Sequence, residues 1–239
     1  MRATVCLPTY NERENLEPML RALADVLHEG DRVLVIDDAS PDGTGALADE
    51  LAAQLGFVDV LHRSSKDGLG PAYLAGFERA LATDTELVLE MDCDFSHDPS
   101  DVPRLIAAVE GGADVALGSR YVPGGSIPSW GAVRRFISYG ASVYSRLVLG
   151  VRVRDLTGGF KCFRRTVLET IDLGRIEARG YAFQIETTYR VLRAGFRVVE
   201  IPITFVEREE GRSKMSGNIV LEGIWYVPAL RVRALLGRL

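Results

Sequence analysis

The chain is poor in the residues that build disulfide staples and metal cages. Of its 239 residues three are cysteine (Cys6, Cys93, Cys162) and three histidine (His28, His62, His97), and neither set has metal-ligand spacing. That excludes a zinc ribbon or a disulfide framework and fits reduced thiols in a cytoplasmic protein. No run reaches the ~20 apolar residues that a membrane-crossing helix needs; Phe136–Ser145 and Gly223–Leu230 are uncharged but too short. Met1-Arg2 leads straight into the strand-like Ala3–Leu7, so no secretory signal is expected. Neither GxGxxG nor GxxxxGK[ST] follows any strand, and Lys66-Asp-Gly-Leu-Gly70 fits neither spacing. Any phosphate must therefore be met by a metal and basic side chains rather than mainly by a backbone cradle. There is no Gly-x-Ser-x-Gly elbow, internal repeat or low-complexity tract, and a net charge of −5 argues against a nucleic-acid partner.

What is present is a globular composition, 47% hydrophobic and 26% charged, in a regular βα rhythm. Strands are predicted at Thr4–Leu7, Arg32–Ile36, Val58–Leu61, Glu86–Met91 and Asp114–Leu117. Amphipathic helices at Leu16–His28, Gly45–Leu55, Pro71–Ala82 and Asp101–Val109 alternate with them. Asn15 and Ser100 are expected to cap helices, and Pro71 suits a first helical turn. Such repetition implies an α/β fold with a doubly wound, mostly parallel sheet. After about residue 120 the rhythm breaks. A Gly/Pro loop, Val122–Pro128, precedes a long helical pattern; Gly158–Phe163 reads as a strand, a helix follows around Phe183–Arg193, and strands lie near Arg197–Val206. One domain over 1–239 is the simplest reading, with a nucleotide half (1–120) and an acceptor half (121–239) ending in an amphipathic helix.

Polar chemistry gathers at three strand ends. The first strand leads into Pro8-Thr-Tyr-Asn-Glu-Arg-Glu14 and the second into Asp37-Asp38-Ala-Ser-Pro-Asp-Gly-Thr44. The fourth leads into Asp92-Cys93-Asp94. Two carboxylates one residue apart can hold Mg²⁺ or Mn²⁺, which want hard oxygen ligands and keep positions open for substrate phosphates. Cys93, between them on an extended segment, should point away from the ligands. Each loop alone also reads as an ordinary turn, with Ser40 and Thr44 as caps. If the three strands are neighbours, their loops converge where an open sheet binds nucleotides. Tyr10 can then cover a base or ribose and Asp38 can accept its hydrogen bonds. Arg134 and Ser138 are four apart in a helical pattern and share one face, where they suit a phosphate; the alternative is a surface arginine beside a core stripe.

Pro8–Asn15, Asp37–Thr44 and Met91–His97 closely resemble the polyprenol-phosphate (dolichol-phosphate) mannose synthases, inverting nucleotide-sugar glycosyltransferases with a GT-A type fold. The likeness continues through Gly118–Tyr121, Asp155–Lys161, Gly180–Glu186 and Phe205–Met215, in the right order over nearly the whole chain.

The resemblance implies mannose transfer from GDP-mannose to a polyprenyl monophosphate, with inversion. It places Pro8, Tyr10, Glu12, Ile36 and Asp38 around the guanine and ribose. Asp92 and Asp94 would hold the metal against the donor diphosphate, with Cys93 contributing backbone nearby. Ser96 stands where relatives often carry Gln; being shorter, it is expected to reach the metal through water. Arg120, Arg208 and Lys214 would meet the donor phosphates, and Asp94 with these three would carry catalysis. Arg120, Arg134 and Ser138 would hold the lipid phosphate, beside apolar Val133, Phe136 and Ile137. Asp155, Gln184 and Glu186 would touch the sugar, orient arginines or cap local structure. A phosphate nucleophile is already ionised near neutral pH, so no general base is required and changing His97 should matter far less than changing an aspartate. Competing readings are a UDP-glucose donor and a catalytically silent nucleotide-sugar-binding subunit. Since the acceptor is a lipid, peripheral contact with the cytoplasmic face of a membrane is expected. The arginine-bearing tail Trp225–Leu239, the helix around Arg134–Arg146 or a membrane-anchored partner protein would provide it; the tail reads equally as a helix packed on the domain.

Overall fold

The structure, a computed structural model, describes residues 1–128, 130–178, 180–206 and 217–239, with backbone alone for Tyr181 and 217–224. Among the described residues seven strands form one sheet: β1 (Ala3–Thr9), β2 (Arg32–Asp37), β3 (Val58–His62), β4 (Leu87–Glu90), β5 (Val115–Ser119), β6 (Lys161–Arg164) and β7 (Val198–Pro202). Their order is β3-β2-β1-β4-β6-β5-β7. β6 alone runs antiparallel, against β4 and β5. The α-helices are α1 (Arg13–Ala24), α2 (Thr44–Leu55), α3 (Leu69–Leu81), α4 (Val102–Glu110), α5 (Ala132–Leu149), α6 (Arg165–Thr170), α7 (Tyr181–Arg193) and α8 (Gly217–Leu235).

The strands read as continuous apolar runs because both faces of the sheet are covered. Val5, Leu7, Val33, Val35, Leu87 and Leu89 point to a core shared with α1, α2 and α4. Their sequence neighbours Cys6, Leu34, Ile36 and Val88 point to the opposite core, with α3, α6 and α7. A third cluster joins α5, α7 and α8 around Leu149, Tyr189 and Leu230. Each fully buried strand side chain is worth about 1.5–3 kcal/mol. An exposed pair such as Arg21–Glu17 contributes at most ~1 kcal/mol, so packing, not surface charge, sets the register.

Several local expectations shift. Asn15 lies inside α1, which begins at Arg13, and its amide donates to Glu12 Oε2 at 2.8 Å; Glu12 occupies the cap position. Ser100 is not a cap either, because Asp98 takes that role, accepting from the Ser100 N–H at 2.8 Å ahead of a one-turn 3₁₀ helix begun by Pro99. Pro71 does sit in the first turn of α3. The strand expected from Gly158 starts only at Lys161. The glycine pair before it runs against β5 and α7: a Cβ on Gly158 would lie 3.1 Å from the Gly118 carbonyl and one on Gly159 3.2 Å from Gln184 Nε2.

β2, β1 and β4 are adjacent, with Thr9 opposite Asp37 and Cys6 opposite Glu90, so the three polar loops emerge side by side. Each contains a non-glycine residue in the left-handed region: Asn11 (φ 57°), Ala39 (φ 54°) and Phe95 (φ 57°). Strain of about 1–3 kcal/mol at such residues gathers where a binding site must be pre-shaped.

Candidate active site

The first two loops are laced together by backbone donors. Asn11 N–H donates to Ser40 Oγ and Glu12 N–H to Thr44 Oγ1, both at 3.1 Å, while Arg13 N–H donates to Asp42. Ser40 and Thr44 thus act as acceptors between loops, and Gly43 takes the α2 cap position. Asp38 is buried and accepts from Arg63 Nη1 at 2.5 Å. Burial pushes its carboxyl above the ordinary range, and the Arg63 bond only partly opposes that shift. Lys66 Nζ lies 3.4 Å from the centroid of the Tyr10 ring. Arg63 and Lys66, both on the loop after β3, meet two of the candidate residues and were not expected there from sequence. Their signal is two cations after an apolar run. Pro8, Tyr10 and Glu12 are half-buried along this edge. Ile36, expected to contribute mainly backbone and some apolar contact, has its side chain fully buried beside Gly76, which leaves only its backbone facing this edge.

The acidic pair is gripped from two sides. Asp94 Oδ1 accepts from Ser96 N–H at 3.0 Å and from the Ser96 hydroxyl at 2.5 Å. Asp92 Oδ1 accepts from the Tyr73 hydroxyl at 3.0 Å. Ser96 therefore meets the pair as a donor to Asp94, and the Cys93 side chain packs into the core as expected. Among the described residues no cluster of three or more His, Cys, Asp or Glu could hold a metal unaided. Two carboxylates fit the other case, a Mg²⁺ or Mn²⁺ that completes its octahedron with substrate phosphates and water. His97 is buried between Phe160 (5.0 Å, stacked) and Phe205 (5.4 Å, edge-on). Burial drives its imidazole down to about 4, against the pull of Asp94, so it is neutral near pH 7.

Arg120 is buried and clamped. Its Nε and Nη2 donate to the two Asp155 oxygens, each at 2.7 Å, and Nη2 also donates to Thr157 Oγ1 at 2.8 Å. Burial alone would raise Asp155, but the guanidinium outweighs it and holds the carboxyl below its usual range. Around Arg120 stand Tyr121, Trp130 and Phe205, with ring centroids 5.3, 5.8 and 5.4 Å from its Cζ. The same aromatic wall gathers the other two residues expected on the acceptor side. Arg134 Cζ lies 4.1 Å from the Trp130 centroid, and the Tyr121 hydroxyl donates to buried Ser138 at 2.7 Å. A groove of about 590 Å³ opens here, lined by Arg120, Tyr121, Ile127, Arg135, Phe136 and Tyr139.

The remaining candidates separate. Asp155 orients an arginine. Gln184 lies behind the site, buried against the Lys161 ammonium, which also donates to Glu90 at 2.5 Å. Glu186 accepts from Arg190, the Ala178 N–H and the Tyr226 hydroxyl, tying α7 to α8. Arg208 and Lys214 lie outside the described residues.

Residues 4–172 match the family described as glycosyl transferase family 2. The polyprenol monophosphomannose synthase of Mycolicibacterium smegmatis is 50% identical over 238 residues, 99% of this chain and 89% of that one. The undecaprenyl-phosphate mannosyltransferase of Micrococcus luteus is 51% identical over 224 residues, 94% of this chain and 91% of that one. Among solved structures, glucosyl-3-phosphoglycerate synthase from Mycobacterium tuberculosis superposes with a TM-score of 0.69 at 20% identity, over 97% of this chain and 80% of that one. At that identity the likeness speaks for the fold, a GT-A-like nucleotide-sugar transferase architecture.

Proposed function

The chain belongs to glycosyl transferase family 2, and from that premise we propose that this glycosyltransferase moves mannose from GDP-mannose to a polyprenyl monophosphate. The observation that carries the reading is the half-identity to two polyprenyl-phosphate mannosyltransferases over nearly the full chain. A site with two phosphate-suited ends agrees with it: Asp92 and Asp94 on the donor side, Arg120, Arg134 and Ser138 on the acceptor side.

Tyr10, Glu12 and Asp38 receive the nucleoside, with Pro8 and the Ile36 and Cys93 backbone beside it. Asp92 and Asp94 would hold Mg²⁺ or Mn²⁺, which would supply Lewis-acid stabilisation of the diphosphate. Arg120, whose Nε and Nη2 are taken by Asp155, is held in one orientation and offers a fixed positive charge to the phosphates. Arg208 and Lys214, outside the described residues, are assigned to the same phosphates by the resemblance to the mannose synthases alone. Arg134 and Ser138 place the lipid phosphate so that one oxygen attacks the anomeric carbon as GDP leaves from the opposite face. The phosphate is its own anion, so positioning is the main requirement on the protein.

The test is transfer of labelled mannose from GDP-mannose to a short polyprenyl phosphate, with UDP-glucose in parallel and EDTA as control. Metal-dependent labelling from GDP-mannose alone is expected. Labelling from UDP-glucose alone would overturn the donor, and no labelling from either would overturn the reaction.

Membrane contact is peripheral in this reading. Among the described residues no helix is long and apolar enough to cross a bilayer. The first turns of α5, flanking the groove, expose Val133 (74%), Phe136 (78%), Ile137 (41%) and Tyr139 (50%). Burying one such side chain in lipid gains about 1.5–3 kcal/mol, against ~1 kcal/mol for an arginine near an anionic surface. The double substitution Phe136→Ser and Ile137→Ser is therefore expected to release the protein from floated phosphatidylglycerol vesicles. Unchanged flotation would move the contact to the C-terminal segment, where Trp225, Val232 and Leu235 on α8 and Leu236 just beyond it are exposed.

A further inference from the structure

Behind the acidic pair stands a tyrosine that the nucleotide motifs do not include. Tyr73 sits on α3 with its side chain wholly buried. Its ring is held between Phe183 (centroids 6.0 Å apart, planes 6° apart) and Phe77 (5.9 Å, 28°), an aromatic stack that fixes the ring from both sides. The hydroxyl emerges from this stack 3.0 Å from Asp92 Oδ1. Between a phenol and a carboxylate the phenol is the donor. We propose that Tyr73 is a positioning residue for the metal–diphosphate site, orienting Asp92 from the hydrophobic core.

The two aspartates are then set independently. Asp94 is oriented by Ser96 within its own loop, two residues away. Asp92 is oriented by a helix nineteen residues earlier in the chain, across the sheet. A neighbour that only filled space would serve equally well as phenylalanine, and this distinguishes the two roles. Outer-shell hydrogen bonds to a metal ligand are typically worth about 10–100-fold in metal affinity.

The inference rests on the metal-dependent reading above, and its test separates the two. Mn²⁺ binding to the full chain with GDP present would be followed by the electron paramagnetic resonance of free Mn²⁺, for the parent, Tyr73→Phe and Phe77→Leu. Tyr73→Phe keeps the stacked ring and removes only the hydroxyl; it is expected to weaken Mn²⁺ binding about tenfold or more while leaving metal-free GDP binding unchanged. Phe77→Leu loosens the same stack without touching the hydroxyl, so it should lower the melting temperature and leave Mn²⁺ affinity near the parent's. Parent-like Mn²⁺ binding by Tyr73→Phe overturns the role of Tyr73. Equal weakening by both variants also overturns it, because packing would then be the cause. A parent that binds no Mn²⁺ with GDP overturns the metal reading itself, and this inference with it.

Discussion

Asp94→Asn is expected to lower kcat/KM for sugar transfer by about two to three orders of magnitude, the usual cost of removing one preorganised electrostatic contact at a developing charge. The substitution is nearly isosteric, and the amide oxygen can still accept from the Ser96 N–H, so the loop keeps its shape. What disappears is one of the two negative charges available to offset a divalent cation. The defect should appear in metal-dependent steps: nucleotide binding measured by calorimetry without metal stays near the parent value, and the gain on adding Mn²⁺ is lost. Activity within threefold of the parent at saturating Mn²⁺ would remove Asp94 from the site as described.

Asp155→Asn is expected to cost about 3–5 kcal/mol of stability together with most of the activity. Asp155 is fully buried and accepts from Arg120 Nε, Nη2 and backbone N–H. An amide in its place turns an NH₂ group toward a guanidinium that has only donors, leaving a buried cation without its counter-charge. Thr157→Val removes only one of the Arg120 bonds and should cost about 1 kcal/mol. Urea unfolding of both variants decides the matter, since the midpoint shift reads the difference directly. A midpoint for Asp155→Asn equal to the parent's would show that Arg120 does not depend on this partner.

The loops around the site illustrate what a linear reading can and cannot reach. Asp92 and Asp94 were legible because a strand, a turn and two carboxylates lie within eight consecutive residues. Helical periodicity alone puts Arg134 and Ser138 on one face, and in the fold both meet the aromatic wall of Tyr121 and Trp130. The partners of these residues were harder. Asp155, left open among three roles, orients an arginine thirty-five residues earlier. Gln184 and Glu186, expected to touch the sugar, orient arginines or cap local structure, both turn into the core because α7 is buried on all sides from Ala182 to Val191. Asn15 and Ser100 failed as caps because cap choice depends on a turn's backbone angles, and in each case a residue two or three earlier took the position.

Periodicity, turn residues and charge thus settle on their own the succession of βα units, the absence of a glycine phosphate cradle and the three acidic strand ends. All are interactions within a few residues along the chain. The placing of β1 between β2 and β4 is a different kind of fact, since it is set by how two hydrophobic cores close over a twisted sheet. That closure brings Arg63 to Asp38, Lys66 to Tyr10, Tyr73 to Asp92 and Arg120 into an aromatic cage. Each contact joins segments that no local rule pairs, because the free energy selecting them is the burial of side chains far apart in the chain.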